Sequence, residues 1–236
     1  MTNEAGPIGF FALWHNKRSE YHAGRTEERE TGEQIQQAFD AARKRGIKIF
    51  GLYGSRWSSE RQYFTFWLCP TLTALELTLD NLERAGDFKF ADSEHVIGVR
   101  LDDPEMTDKA YLDRLEGGDS DLPLGFFALW RQTDGYYRAD PGDWQTSNRA
   151  VRAVFKEAQN QGVRMFGRYD CRWSSRWDYF TFWLVPSLET LETTMERLEP
   201  AGDFKFADSR HIIGNLEPHF RFGRHLQAAS DWSQGE

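Results

Sequence analysis

Two histidines stand in matched surroundings: His95 within Asp92-Ser93-Glu94-His95-Val96-Ile97-Gly98, and His211 within Asp208-Ser209-Arg210-His211-Ile212-Ile213-Gly214. Imidazole is the side chain best suited to proton transfer near neutral pH, and Asp92 or Asp208 is placed to orient it. Arg56-Trp57-Ser58-Ser59 and Arg172-Trp173-Ser174-Ser175 each join a guanidinium to an indole. That pairing can clamp an anion while stacking an aromatic ring. The same block also reads as a structural turn whose serine hydroxyls satisfy backbone groups. Arg168, Asp170 and Arg172 alternate along one stretch and share a strand face. Facing inward they form a patch for anion or acid/base chemistry; facing outward they are an ion-pair row. The candidate catalytic set is His95, His211, Arg172 and Asp170. The candidate substrate-binding set is Arg56, Trp57, Tyr137, Arg168 and Trp173.

These residues sit in a duplicated chain. Gly9-Phe10-Phe11-Ala12-Leu13-Trp14 returns 116 residues on as Gly125-Phe126-Phe127-Ala128-Leu129-Trp130. The same displacement carries Tyr63-Phe64-Thr65-Phe66-Trp67-Leu68 onto Tyr179-Phe180-Thr181-Phe182-Trp183-Leu184, and Asp87-Phe88-Lys89-Phe90 onto Asp203-Phe204-Lys205-Phe206. An internal repeat of this length sets the architecture. The mismatches carry separate information. Leu52 becomes Arg168, Gly54 becomes Asp170, Ser55 becomes Cys171, and Glu20-Tyr21-His22 becomes Tyr136-Tyr137-Arg138. A duplicated protein that keeps one site and retires the other has this pattern.

Within one unit, Gly9–Trp14 reads as a strand, followed by a polar stretch from His15 to Arg29. Helical spacing of Ile35, Ala38, Phe39 and Ala42 begins near Thr31 and stops at Gly46. Ile47–Trp57 and Tyr63–Leu68 have strand character, and Thr71 caps a second helix that runs to Gly86. A last strand runs from Phe88 to Val99. The order βαββαβ is the ferredoxin-like split pattern, with two helices over one face of an antiparallel sheet. Residues 8–100 and 124–216 form the two repeats. Residues 101–123 form an acidic, structured linker with a short helix closed by Gly117-Gly118. Residues 217–236 form a C-terminal tail, with Phe220–His225 packed back on the body.

The net charge of −8 argues against a nucleic-acid partner, which needs a basic face. The two cysteines, Cys69 and Cys171, fall at non-equivalent repeat positions, which argues against a shared disulfide or metal cluster. His15, Glu20 and His22 match no metal-ligand spacing, and no metal site is expected. There is no signal peptide or membrane-length apolar run, so a cytoplasmic protein without a membrane partner is expected. Nine Trp, eight Tyr and eighteen Phe need burial. The uncovered face of each sheet would be rich in them, so two sheets are expected to close face to face around a shared interior.

In its element order and duplication, the chain resembles the dimeric α+β barrel superfamily in its tandem, single-chain form. That superfamily includes cofactor-free monooxygenases, isomerases and cyclases, lyases, and haem proteins such as the chlorite dismutase group. The resemblance implies a ligand inside the barrel or between sheet and helices; it does not choose a role. The leading expectation is an enzyme with no cofactor that holds a small apolar or aromatic substrate in an aromatic-lined barrel. His95 or His211 would move a proton while Arg172 stabilises an anion, in lyase, isomerase or cofactor-free oxygenase chemistry. One alternative is a non-catalytic binder or sensor for a hydrophobic ligand. Another is a haem-handling protein, although haem in such barrels usually takes a helix-borne ligand and neither predicted helix pair contains a histidine. Further association into a homo-oligomer is open.

Overall fold

The computed structural model describes residues 7–17, 25–114 and 122–217. The first unit comprises β1 (Ile8–Asn16), α1 (Arg25–Lys44), β2 (Lys48–Ile49), β3 (Tyr53–Gly54), β4 (Tyr63–Cys69), α2 (Leu72–Ala85), the one-turn α3 (Asp87–Phe90) and β5 (Ala91–Arg100). A 3-10 turn (Pro104–Met106) and α4 (Lys109–Arg114) follow. The second unit comprises β6 (Leu124–Gln132), α5 (Asp134–Arg138), α6 (Pro141–Asn160), β7 (Arg164–Asp170), β8 (Tyr179–Val185), α7 (Leu188–Ala201), a 3-10 turn (Asp203–Lys205) and β9 (Ala207–Leu216). Thr71 and Ser187 cap α2 and α7 by accepting from Ala74 N and Thr190 N, each at 3.1 Å.

Three local expectations need adjustment. Helix α1 starts at Arg25, six residues before Thr31, because its exposed opening turns carry no apolar stripe to announce them. The Ile47–Trp57 stretch is split into β2 and β3 at Gly51, whose φ of +69° breaks the ladder. Phe88–Phe90 and Phe204–Lys205 are helical turns rather than strand starts, since Gly86 and Gly202 in the left-handed region redirect the chain. Gly117-Gly118 and the Phe220–His225 tail lie outside the described residues.

The sheets close on each other. In each unit the first strand lies between the last two, as β1 pairs with β4 and β5, and β6 with β8 and β9. The units join at two equivalent seams, where Val99 faces Asp170 on β5 and β7, and Tyr53 faces Leu216 on β3 and β9. The seam ladders continue with Leu101 N to Arg168 O at 2.8 Å and Glu217 N to Leu52 O at 2.9 Å.

Beyond those few pairs each last strand would have a bare edge. Serines of the repeated block cover it. Ser58 Oγ donates to Ile213 O at 2.5 Å and accepts from Ile213 N at 3.0 Å. Ser174 Oγ does the same for Ile97, whose N lies 3.2 Å away and whose O it also contacts. Each unit also lends the other a tyrosine. A Cβ on Gly125 would lie 2.8 Å from the Tyr53 ring, and one on Gly9 would lie 2.5 Å from the Tyr169 ring. These close approaches need a residue without a side chain.

The interior is packed solid. Phe11 and Phe127 stack at the centre with ring centroids 3.4 Å apart and an interplanar angle of 5°. Phe50, Phe64, Phe66, Phe166, Phe180 and Phe182 surround them, all fully buried. The expectation of a substrate held inside the barrel is therefore corrected. Eight of the phenylalanines fill the interior rather than line it.

Replacing Ser58 or Ser174 with alanine leaves a backbone N–H and C=O uncovered at one seam. Each variant should lose about 1–3 kcal/mol of stability in urea denaturation. Unchanged midpoints for both would show that the seams do not depend on these hydroxyls.

Candidate functional site

Outside the barrel, helices α1 and α2 cover the first sheet, and α6 and α7 cover the second. The repeats differ in how tightly this layer closes. In the first unit Leu52, 2% exposed, packs with Phe39 and Trp67 in one continuous core. In the second unit the matching position is Arg168, and a cavity of about 280 Å³ opens between sheet and helices. That volume is near the lower end for small-molecule sites.

The sheet contributes Phe126, Ala128, Trp130, Thr181, Trp183 and His211 to the cavity wall. Helix α6 contributes Trp144, Asn148, Val151, Arg152 and Phe155, and α7 contributes Met195 and Leu198. Asp103 and Met106 enter from the linker, and Tyr136 from α5. The cavity is aromatic on most sides, with a polar corner at Asp103, Asn148, Arg152 and Arg168.

His211 sits between the rings of Phe126 and Phe204, with centroids 5.2 and 5.8 Å away. Burial there pushes its pKa below the usual 6.5, so the imidazole is neutral at physiological pH with a free lone pair. His95 has the same surroundings in the first unit, between Phe10 and Phe88, and burial lowers its pKa likewise. Both histidines are partly exposed. The repeated aspartates do not orient these histidines. Asp92 binds Arg61 at 2.9 Å and lies 3.8 Å from His15, and Asp208 binds Arg131 at 3.0 Å.

The arginine row faces outward, toward the helix layer, while Tyr169 points into the barrel. A bulge between Met165 and Arg168, where Gly167 has a φ of +102°, sets this alternation. Arg168 reaches the cavity. Asp170 and Arg172 bind each other at the strand end, and the Arg172 side chain is 60% exposed and lies over the Tyr179 ring. That pairing holds the Asp170 carboxyl below its usual range. Arg56 is exposed and donates to Tyr63 Oη at 2.8 Å. Trp57, Trp173 and Tyr137 are exposed at 53, 56 and 71%, and none lines the cavity.

Of the sequence-selected residues, the cavity therefore gathers only His211 and Arg168. Arg152, Trp144 and Met195 were missed, although each differs from its repeat counterpart, respectively Gln36, Glu28 and Leu79. The mismatch signal that pointed to Arg168 applies to them too. Asp103 has no counterpart in the repeat, so no such signal exists for it.

Asp203 also lines the cavity, and burial raises its pKa from 3.8 to about 6; Asp87 at the matching position is raised equally. A raised acid favours folding fully below pH 3.8 and loses that contribution as pH rises through about 6. The two histidines act oppositely, since their contribution holds above pH 6.5 and is lost as pH falls through their lowered values. Asp203→Asn should therefore gain stability over the parent at pH 7.5, by up to about 3 kcal/mol, and little at pH 4. Urea titrations at the two pH values check this. An equal difference at both would show that Asp203 titrates normally.

No protein-family model and no curated protein matches the sequence. Solved structures do match. A chlorite dismutase candidate, TA0507, superposes with a TM-score of 0.70 over 94% of this chain and 99% of its own, at 12% identity. A mutant chlorite dismutase from Candidatus Nitrospira defluvii gives 0.72 over 96% of each chain, at 14% identity. The chlorite dismutase of that organism in complex with imidazole gives 0.68 with the same coverage and identity. Likeness at such identities is likeness of fold. It overturns the expectation of no cofactor, because these neighbours belong to the haem-bearing group within the superfamily. The chain has the fold of the chlorite dismutases, two ferredoxin-like units whose sheets close into one α+β barrel.

Proposed function

We propose that this chain is a haem-handling protein that takes a flat, largely apolar tetrapyrrole between the sheet and helices of its second unit. The observation that carries the reading is the cavity itself. It lies beside His211, between the sheet and helices of the second unit. Support also comes from the neighbours of the same fold.

The donor set fits the group. A neutral imidazole and a thioether are both haem-iron ligands, and His211 and Met195 bring one of each to the cavity wall. Among the described residues, α6 and α7 carry no histidine, so an imidazole ligand here comes from a strand rather than a helix. Trp130, Phe155, Trp183 and Trp144 offer ring faces, and Trp144 is 38% exposed at the rim, where a ring larger than the cavity can protrude.

When bound, haem would supply one-electron and oxygen chemistry. The chain's own contribution is separate from that chemistry. His211 stays unprotonated because its phenylalanine neighbours penalise the charged form. The apolar walls limit water, and Arg152 and Arg168 place positive charge at one corner for an anionic group on the ring or its substrate.

Titrating purified protein with haemin should produce a Soret band that saturates at one haem per chain. His211→Ala should weaken uptake by at least about tenfold, and His95→Ala should leave it unchanged. Absence of a Soret band after reconstitution would overturn the reading and leave the non-catalytic apolar binder as the alternative.

A further inference from the structure

The two seams are equivalent, so an approximate two-fold axis relates the units. On such an axis a residue meets its own counterpart, here 116 positions away. Phe11 and Phe127 stack there with centroids 3.4 Å apart, and Phe66 and Phe182 stack at 4.9 Å. Phe50 and Phe166 meet edge to face at 4.6 Å. Identical pairs cannot distinguish one partner from another. Two first units taken from different chains would present the same phenylalanines to each other, and so would two second units.

Glu94 and Arg210 are a further counterpart pair, and here the residue types differ. Glu94 lies two residues before Val96 on β5, and Arg210 two before Ile212 on β9. Val96 and Ile212 belong to the barrel core, so strand alternation turns both charged side chains to the inner face. Arg210 Nη1 lies 3.6 Å from Glu94 Oε2, with the side chains 31 and 42% exposed near one end of the barrel. The neighbouring charges are satisfied inside a unit, since Asp92 binds Arg61 and Asp208 binds Arg131. The Glu94–Arg210 pair instead joins one unit to the other.

We propose that Glu94 and Arg210 determine which units pair, so that the inner face of each unit accepts the complementary unit and rejects its own kind. Opposite charges meet only when a first unit faces a second unit. A barrel built from two first units would set Glu94 against Glu94, and one built from two second units would set Arg210 against Arg210. Two chains joined like to like would therefore exchange two attractive contacts for two repulsive ones. The phenylalanine pairs supply the affinity between units, and this ion pair supplies the choice. The inference concerns the interface between units and is independent of the haem-handling reading.

Refolding tests this with the full chain. Two differently tagged forms are mixed in urea, refolded together at high protein concentration and low salt, and scored for dimers that carry both tags. Arg210→Glu makes every pairing Glu against Glu and removes the preference, so the mixed-tag fraction should rise at least about fivefold over the parent. Glu94→Arg should do the same with arginines. The double reversal Glu94→Arg/Arg210→Glu restores opposite charges within a chain and should return the fraction to the parent value. Refolding the parent in about 1 M NaCl should raise its fraction toward that of the single reversals. Should a single reversal fail to fold, Glu94→Gln/Arg210→Gln removes both charges at similar size and should show the same rise. Equal mixed-tag fractions in the parent and the folded variants, or a rise that the double reversal does not undo, would overturn the proposal.

Discussion

Each half of this barrel is incomplete at the edge of its last strand, and the other half finishes it. A sheet edge presents backbone N–H and C=O groups that must be paired or solvated. Here Ser58 and Ser174 cross to Ile213 and Ile97, while Tyr53 and Tyr169 cross to lie over Gly125 and Gly9. The exchange is reciprocal because the sequence is duplicated, and it joins two open sheets into one closed surface. Closure then confines the phenylalanine faces to a volume they fill completely. The core, the outward direction of Arg168 and the location of the cavity all follow from that closure.

Filling the barrel moves any ligand to the outer layer, where the two copies are no longer equivalent. On the first unit Leu52 packs with Phe39 and Trp67 in an apolar layer. On the second unit one leucine-to-arginine exchange puts a charged group where packing had been continuous, and the linker supplies the carboxylate that meets it. Burying the Asp103 carboxylate, 5% exposed, without a cation beside it is costly, so Asp103 and its arginines are best understood as one feature. The linker is therefore part of the second unit's cavity wall as well as a connection.

The repeated and the unrepeated residues divide cleanly in their work. Arg56-Trp57-Ser58-Ser59 and its copy looked suited to anion binding, yet their serines hold the seams and their tryptophans stand in solvent. The histidine pair is repeated too, and His211 lines the cavity of the second unit. Its chemistry comes from location rather than residue type, since burial makes both imidazoles neutral. Asp203 shows the same logic, because it shares its raised pKa with Asp87 and it is Asp203 that lines the second unit's cavity.

The sequence by itself determined the duplication, the βαββαβ order of each half and the closure of two aromatic sheet faces, because strand alternation, helix caps and repeat spacing are local signals. It also marked Arg168 as a change between copies. The direction of Arg168 depended on a bulge at Gly167, and whether the barrel was hollow depended on how phenylalanines from five strands, with Phe50 between β2 and β3, meet. Those are long-range packing outcomes with no local signature. Asp103 lies in an unrepeated linker, and only the folded chain brings its carboxylate between arginines 49 and 65 residues away. Tertiary structure decided the site because its polar corner is assembled from a linker, a helix and a strand.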